Sequence, residues 1–150
     1  MKNAVIIGSG NVANFFSSLL KKRGLSVIEI HSRNKKTGIE LARKCKANFV
    51  KNVKDISADA DIYILAVNDN NIKEIAKNIK HVKGIIIHTS GSTDIKMLSK
   101  KKSAVIYPLQ TINKNNLKAL EDIPLLYEII DKKIKKKISA LAKKLSSKTY

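Results

Sequence analysis

The sequence predicts an α/β domain built on a doubly wound, mostly parallel sheet of about eight strands, with helices on both faces. Three observations carry this prediction. Apolar runs of strand length alternate along the chain with segments of helical period. The runs at residues 4–7, 62–67 and 84–87 show almost no polar alternation, as expected of strands covered on both sides. A glycine-rich stretch, Gly8-Ser9-Gly10-Asn11-Val12-Ala13, joins the first run to the first helical segment. With 150 residues, the chain has room for one domain with a real core.

The elements follow in order. Residues 4–7 form the first strand. Val12, Phe15, Phe16, Leu19 and Leu20 then recur at spacings of three and four, which predicts a helix ending in Lys21-Lys22-Arg23 and stopped by Gly24. Residues 27–30 read as a second strand. Residues 37–46 read as a helix whose apolar face is Ile39, Leu41, Ala42 and Cys45. A weak third strand at 48–50 precedes a turn or short helix at 55–59 and a strong strand at 62–67. Asn68 or Asp69 can cap the next helix, in which Ile72, Ile75, Ala76 and Ile79 form one stripe. Strands follow at 84–87, 104–107 and 125–130, with a short helix at 94–98. Asp131 caps a last helix that turns Ile134, Ile138, Leu141, Ala142 and Leu145 inward. No repeat or linker marks a domain boundary.

Composition narrows the function classes. The formal net charge is +18, which suggests a polyanion partner. Yet only Arg23, Arg33 and Arg43 are arginine, the lysines are spread along the chain, and the few aromatic residues are not interleaved with them. These features match the bias of an AT-rich genome and argue against specific nucleic-acid recognition. The densest cluster, Lys132, Lys133, Lys135, Lys136 and Lys137, reads as a solvated helix face. No run approaches the roughly 20 apolar residues of a membrane helix, and the first apolar run stops too early for a signal peptide. A single cysteine, Cys45, fits a reducing cytoplasm and reads as an apolar filler or a reactive thiol.

The glycine stretch carries the chemistry. A G-x-G-x-x-A motif between strand and helix suits a dinucleotide: Gly8 for the tight turn, Gly10 for close approach of a pyrophosphate, Ala13 for helix packing. The amides at Asn11 and Val12 open the helix, where its dipole favours anions. The plain alternative is a turn that only joins strand to helix. At the end of the second strand the sequence reads His31-Ser32-Arg33-Asn34, without the carboxylate expected of an NAD site. Arg33 and Ser32 suit a 2′-phosphate instead, so NADP (NADPH) is the favoured cofactor, the plain alternative being that Arg33 is one more solvent-facing base on a basic protein.

"IIGSGNVA", "SRN", "ILAVND", "HTSGS" and "YPLQT", in that order, resemble a family of Rossmann-like NADP oxidoreductases. That family is related to pyrroline-5-carboxylate reductase, to the F420-dependent NADP oxidoreductases and to the 6-phosphogluconate and 3-hydroxyisobutyrate dehydrogenases. The resemblance covers essentially the whole chain. It implies that Gly8, Ser9, Gly10, Asn11 and Val12 hold the pyrophosphate and that Ser32 and Arg33 hold the 2′-phosphate. It further implies that Ala66, Val67 and Asn68 line the nicotinamide ribose. The family's helical C-terminal domain, which dimerises and closes the substrate site, would begin about where this chain stops, at Tyr150. Residues 1–150 are thus expected to be the cofactor domain alone, a homodimer forming where that further domain is present.

His88 and Ser90 are the catalytic candidates, because they follow a strand whose end should face the nicotinamide. His88 could donate a proton and Ser90 could bond a carbonyl or imine. Equally, His88 could only bond nearby backbone, and Ser90 could only cap a turn. His31 reads as an adenine neighbour or a surface residue, and His81 lies on a polar stretch without a partner. Tyr107 and Gln110 flank Pro108 and could line the pocket. No residue pattern names the small-molecule substrate, and none suggests a metal.

Overall fold

A computed structural model describes residues 1–98, 102–120 and 122–150. Among the described residues the strands are β1 (Asn3–Ile7), β2 (Ser26–His31), β3 (Asn48–Val50), β4 (Ile62–Leu65), β5 (Ile85–His88), β6 (Ser103–Pro108) and β7 (Leu125–Ile129). The α-helices are α1 (Asn11–Lys22), α2 (Lys35–Cys45), α3 (Asp69–Asn78) and α4 (Lys135–Leu145). All strands join one sheet in the order β3-β2-β1-β4-β5-β6-β7, parallel throughout except for the antiparallel β6–β7 pair. This is the Rossmann-like architecture. The chain winds outward from β1 in one direction and then from β4 in the other.

The lack of polar alternation in the central strands has a direct physical cause. Successive residues of β1 face opposite cores: Ala4 and Ile6 pack with Phe16 and Leu20 of α1 and Ile138 of α4, whereas Val5 and Ile7 pack with Ile72 and Ala76 of α3. Both faces are covered, so all four residues of β4 and of β5 are buried. Each large side chain buried this way contributes about 1.5–3 kcal/mol. The helices behave as their spacing predicts. In the last helix Ile134, Ile138, Leu141, Ala142 and Leu145 are buried, and Lys132, Lys133, Lys135, Lys136 and Lys137 are exposed.

Three details depart from the sequence reading. The sheet has seven strands rather than about eight. Residues 148–150 lie parallel to β7 through one bridge, Leu125 to Thr149, with the Leu125 amide donating to the Lys148 carbonyl at 2.8 Å. Tyr150 adds two backbone bonds to β7, its amide donating to the Leu125 carbonyl at 3.0 Å and its carbonyl accepting the Tyr127 amide at 2.9 Å. The strong strand expected at 62–67 ends at Leu65, since Ala66 and Val67 turn away to wall a cleft. The turn expected at 55–59 is a 3-10 turn at Val53–Asp55. Cys45 packs half-buried against the core. Burial pushes its thiol pKa up, against the Ser17 hydroxyl and nearby lysines that lower it, so the filler reading describes it better than the thiolate. No helix among the described residues is long and apolar enough to cross a membrane.

Tyr63 shows how the crossover into β4 is fixed. Its buried hydroxyl donates to the Ser57 carbonyl at 2.6 Å and accepts the Ala60 amide at 2.9 Å. Desolvation is the main cause that pushes its pKa up to about 12. Tyr63→Phe leaves both backbone groups without their partner and is expected to cost about 1–3 kcal/mol. Urea unfolding of the two proteins measures this, and equal midpoints would show that the 57–60 segment holds itself.

Candidate functional site

β1 lies where the strand order reverses, between β2 on one side and β4 on the other. At such a point the loops leaving the strand ends diverge and leave a crevice. The first of these loops is the glycine turn. Gly8 has φ +125, and a Cβ there would lie 2.1 Å from the Ala66 carbonyl oxygen, so only glycine fits between the two loops. The Gly8 amide donates to the His31 carbonyl and the Ala66 amide to the Ile7 carbonyl, both at 2.8 Å. Three strand ends are thereby held in one plane at the base of the crevice.

Gly10 is a different case. A Cβ there would meet nothing within 4 Å, so packing does not demand glycine; its bare backbone faces the crevice. No side chain caps α1 and no acidic residue lies in its first turn, so its first amides remain available to an anion. The Asn14 side-chain amide donates to the carbonyls of Ser9 and Gly10, at 3.2 and 2.9 Å, and so steadies the turn. Ser9 Oγ lies 2.6 Å from Ser32 Oγ and 2.7 Å from Thr37 Oγ1. Thr37 also receives a cap from the Asn34 side chain, which accepts its amide at 3.2 Å. A chain of hydroxyls therefore stitches the glycine turn to the start of α2.

The crevice consists of two adjoining clefts. The smaller, about 550 Å³, is lined by Gly8, Ser9, Gly10, His31, Ser32, Arg33 and others. The larger, about 920 Å³, is lined by Asn11, Val12, Thr89, Ser90, Ser92, Tyr107 and others. Gly10, Ala66, Val67 and Asn68 border both. All ten residues expected to hold the cofactor thus lie along one groove. Arg33 is exposed at its end with Ser32 beneath, and no carboxylate lines the smaller cleft. A dinucleotide fits this set: amides for the pyrophosphate, a cation and a hydroxyl for the 2′-phosphate, and open backbone between them.

The catalytic candidates fare differently. His88 is fully buried and lines neither cleft. Its Nδ1 accepts the Ser90 amide at 3.3 Å, while its Nε2 is buried without a partner. Period-two alternation turns it to the side of Ile86, under the cleft wall rather than into it. Desolvation holds its pKa below the usual histidine value, against Asp69 and Asp94, which raise it. Ser90 does line the larger cleft, but its Oγ accepts the amides of Ser92 and Thr93 and donates to Thr93 Oγ1. That hydroxyl serves its own turn.

Other expected positions also resolve. His31 is buried and its Nδ1 donates to the Val50 carbonyl at 2.9 Å, so it braces β3 and is no surface residue. His81 has a partner after all, the Ile56 carbonyl at 3.0 Å. Tyr107 lines the larger cleft, whereas Gln110 is exposed and does not line it. Asn14, Thr37 and Asp69 belong to the site or its supports without having been expected there, whereas Ser92 ends the 88–92 loop that the resemblance placed facing the nicotinamide. Asp69 accepts Ser92 Oγ at 2.6 Å across the larger cleft. The only sequence signal for Asn14 was an amide on the first turn of an otherwise apolar helix face.

Residues 3–91 match the family model for NADP oxidoreductases, coenzyme F420-dependent. The chain belongs to this family. Its cofactor is therefore NADP, in agreement with the Ser32-Arg33 tip. Among solved structures the chain is similar to a Bacteroides fragilis protein assigned as an NADP oxidoreductase, at 25% identity and a TM-score of 0.91. The fold is also that of a 1-pyrroline-5-carboxylate reductase from Streptococcus pyogenes, at 17% identity and TM-score 0.76, and of an imine reductase from Myxococcus stipitatus in complex with NADP+, at 15% and 0.76. These matches cover 99% of this chain each and 60%, 57% and 54% of the three structures. The chain thus spans little more than half the length of its neighbours. No curated protein matches it in sequence.

The buried His88 predicts an acid limb. Its folded-state pKa lies below 6.5, so above 6.5 it is neutral whether the chain is folded or not. As pH falls through 6.5 towards the folded value, the unfolded chain takes a proton that the folded chain refuses, and stability drops. His88→Asn, which keeps an acceptor and cannot titrate, is expected to shallow this fall. Denaturant midpoints taken across the interval test it, and parallel curves would move the titration to another group.

Proposed function

We propose that residues 1–150 form the cofactor domain of an NADPH-dependent oxidoreductase acting on a small carbonyl or imine, or catalysing the reverse oxidation. One observation carries the reading: a single groove joins an uncapped helix N-terminus, the bare Gly10 backbone and the Ser32-Arg33 tip to a second, larger cleft. In this reading the amides of Asn11 and Val12 hold the pyrophosphate, Arg33 and Ser32 hold the 2′-phosphate, and Ala66, Val67 and Asn68 wall the nicotinamide ribose. The cofactor, when bound, supplies or accepts the hydride. The chain's part is to orient the ring against the larger cleft, where the substrate would sit, and to keep water from one side of it. A further helical domain, as the resemblance implies, would cover the other side and bring two copies together.

A second reading, an NADP-binding module without chemistry, draws on the positions of His88 and Ser90. One is out of reach of the cleft and the other is committed to a turn. Turnover distinguishes the two: NADPH oxidation with any carbonyl or imine favours the enzyme, and tight binding with no turnover by the chain together with its further domain favours the module.

The cofactor assignment predicts a specific pattern of affinities. Arg33→Asp should weaken NADPH about 10- to 100-fold, the loss of one charge-assisted contact, and should weaken NADH much less. Gly10→Val should fold normally, since its side chain enters open space, yet lose both cofactors. Fluorescence titration of each variant measures this. Equal affinity of the native chain for NADPH and NADH would remove the 2′-phosphate assignment, and unchanged binding in Gly10→Val would remove the groove.

A further inference from the structure

The two ends of the groove differ in charge against the trend of the whole molecule. Lysine and arginine make up 30 of 150 residues, so a random patch of thirteen would hold two or three. Among the described residues thirteen line the larger cleft, and none of these is basic. One, Asp69, is acidic, and the other polar ones are amides and hydroxyls: Asn11, Asn68, Asn70, Thr89, Ser90, Ser92 and Tyr107. The smaller cleft at the other end carries Arg33, and the groove beside it carries Arg33 and Lys51.

Asp69 is exposed and is tied to a neighbouring loop. Ser92, from the loop after β5, donates to it at 2.6 Å, and Ser92 lies within reach of Ser90 at 3.3 Å. The Ser92 hydrogen bond is the main cause that keeps the Asp69 carboxyl below its usual pKa, so it is an anion at neutral pH. The dipole of α3 explains an acidic residue in that helix's first turn. It does not explain a ring of thirteen residues without a lysine in a chain so rich in them.

We propose that the larger cleft selects a substrate that carries a positively charged nitrogen, with Asp69 as the specificity-determining residue and Ser92 as the residue that positions it. An anionic end would meet a fixed carboxylate with no basic side chain among the lining residues to offset it. This rests on the reading above only in making the cleft the substrate's seat. The overall field of a +18 molecule favours anions. A preference for cations here would thus come from the cleft itself.

The test uses three ring ketones of matched shape as probes: 1,1-dimethyl-4-oxopiperidinium, cyclohexanone and 4-oxocyclohexanecarboxylate. Each is titrated into the isotope-labelled chain at physiological salt, with and without NADPH, following the amide signals of Asn70, Gly91 and Ser92. The cation is expected to bind about tenfold more tightly than the carboxylate. Asp69→Asn should bring the three probes within about twofold of one another. Asn70→Lys, an exposed change that leaves the fold untouched, should move the order towards the carboxylate. Equal or anion-favoured binding in the native chain overturns the proposal, as does the absence of binding by all three. So does an Asp69→Asn variant that keeps the cation preference while losing NADP+ relative to NADPH, because the carboxylate would then serve the oxidised nicotinamide ring. Cation selectivity in a chain that fails to bind NADPH would leave this inference standing and remove the cofactor reading.

Discussion

The contact of Gly8 with the Ala66 carbonyl fixes the geometry of the groove. It is set by a steric limit: a side chain at residue 8 would stand 2.1 Å from a backbone oxygen of the neighbouring loop. Because β1 sits between β2 and β4, its end must turn sharply while both neighbours hydrogen-bond to it, through His31 and Ala66. The strands can come this close only if the turn takes a positive φ. Once they do, α1 starts directly over the crevice, with its first amides uncapped and Ala66 to Asn68 as the facing wall. Function here follows from backbone placement at the centre of the sheet, before any side chain is considered.

Side chains then divide the groove into ends of different chemistry. At one end, hydroxyls of Ser9, Ser32 and Thr37 form a bonded chain under an exposed arginine, which suits a phosphate. At the other, Asp69 is tied to Ser92 in a setting of amides and hydroxyls. The lysine-rich surface sits apart from both: the cluster on the last helix is exposed and its apolar partners are buried beneath it. The net charge of the chain is therefore a poor guide to the chemistry of its groove.

Much of this was legible in the sequence. Double-sided burial leaves an unbroken apolar run, so 62–67 and 84–87 announced central strands, and the helical stripes gave the helices to within two or three residues. The ten residues expected to hold the cofactor were legible as neighbours on one groove, and those of the glycine stretch because a turn, a bare approach and a helix start need particular residues at fixed spacing. The rest depended on contacts between distant segments. Ser9 meets residues 23 and 28 positions away, and Ser92 meets Asp69 from 23 positions away. No local pattern encodes such pairs. Which of the two roles open to His88 applies was not legible for a related reason: in a strand covered on both faces, alternation does not say which side opens to the cleft and which lies against α3.

The contrast between the two clefts explains why a cofactor can be read from a chain more readily than a substrate. Phosphate groups are recognised largely by amides and a helix terminus, whose arrangement leaves few sequence solutions and so a motif. A small organic substrate is recognised by a handful of side chains from several loops, and many combinations give an equivalent surface. In this molecule those side chains come from the start of α1, the loops after β4 and β5 and the end of β6, brought together only by the order of the sheet. The residue types along them look ordinary one at a time. Their common property, the lack of basic charge among the described lining residues of a strongly basic protein, exists only in three dimensions, and that is the level at which the larger cleft has to be read.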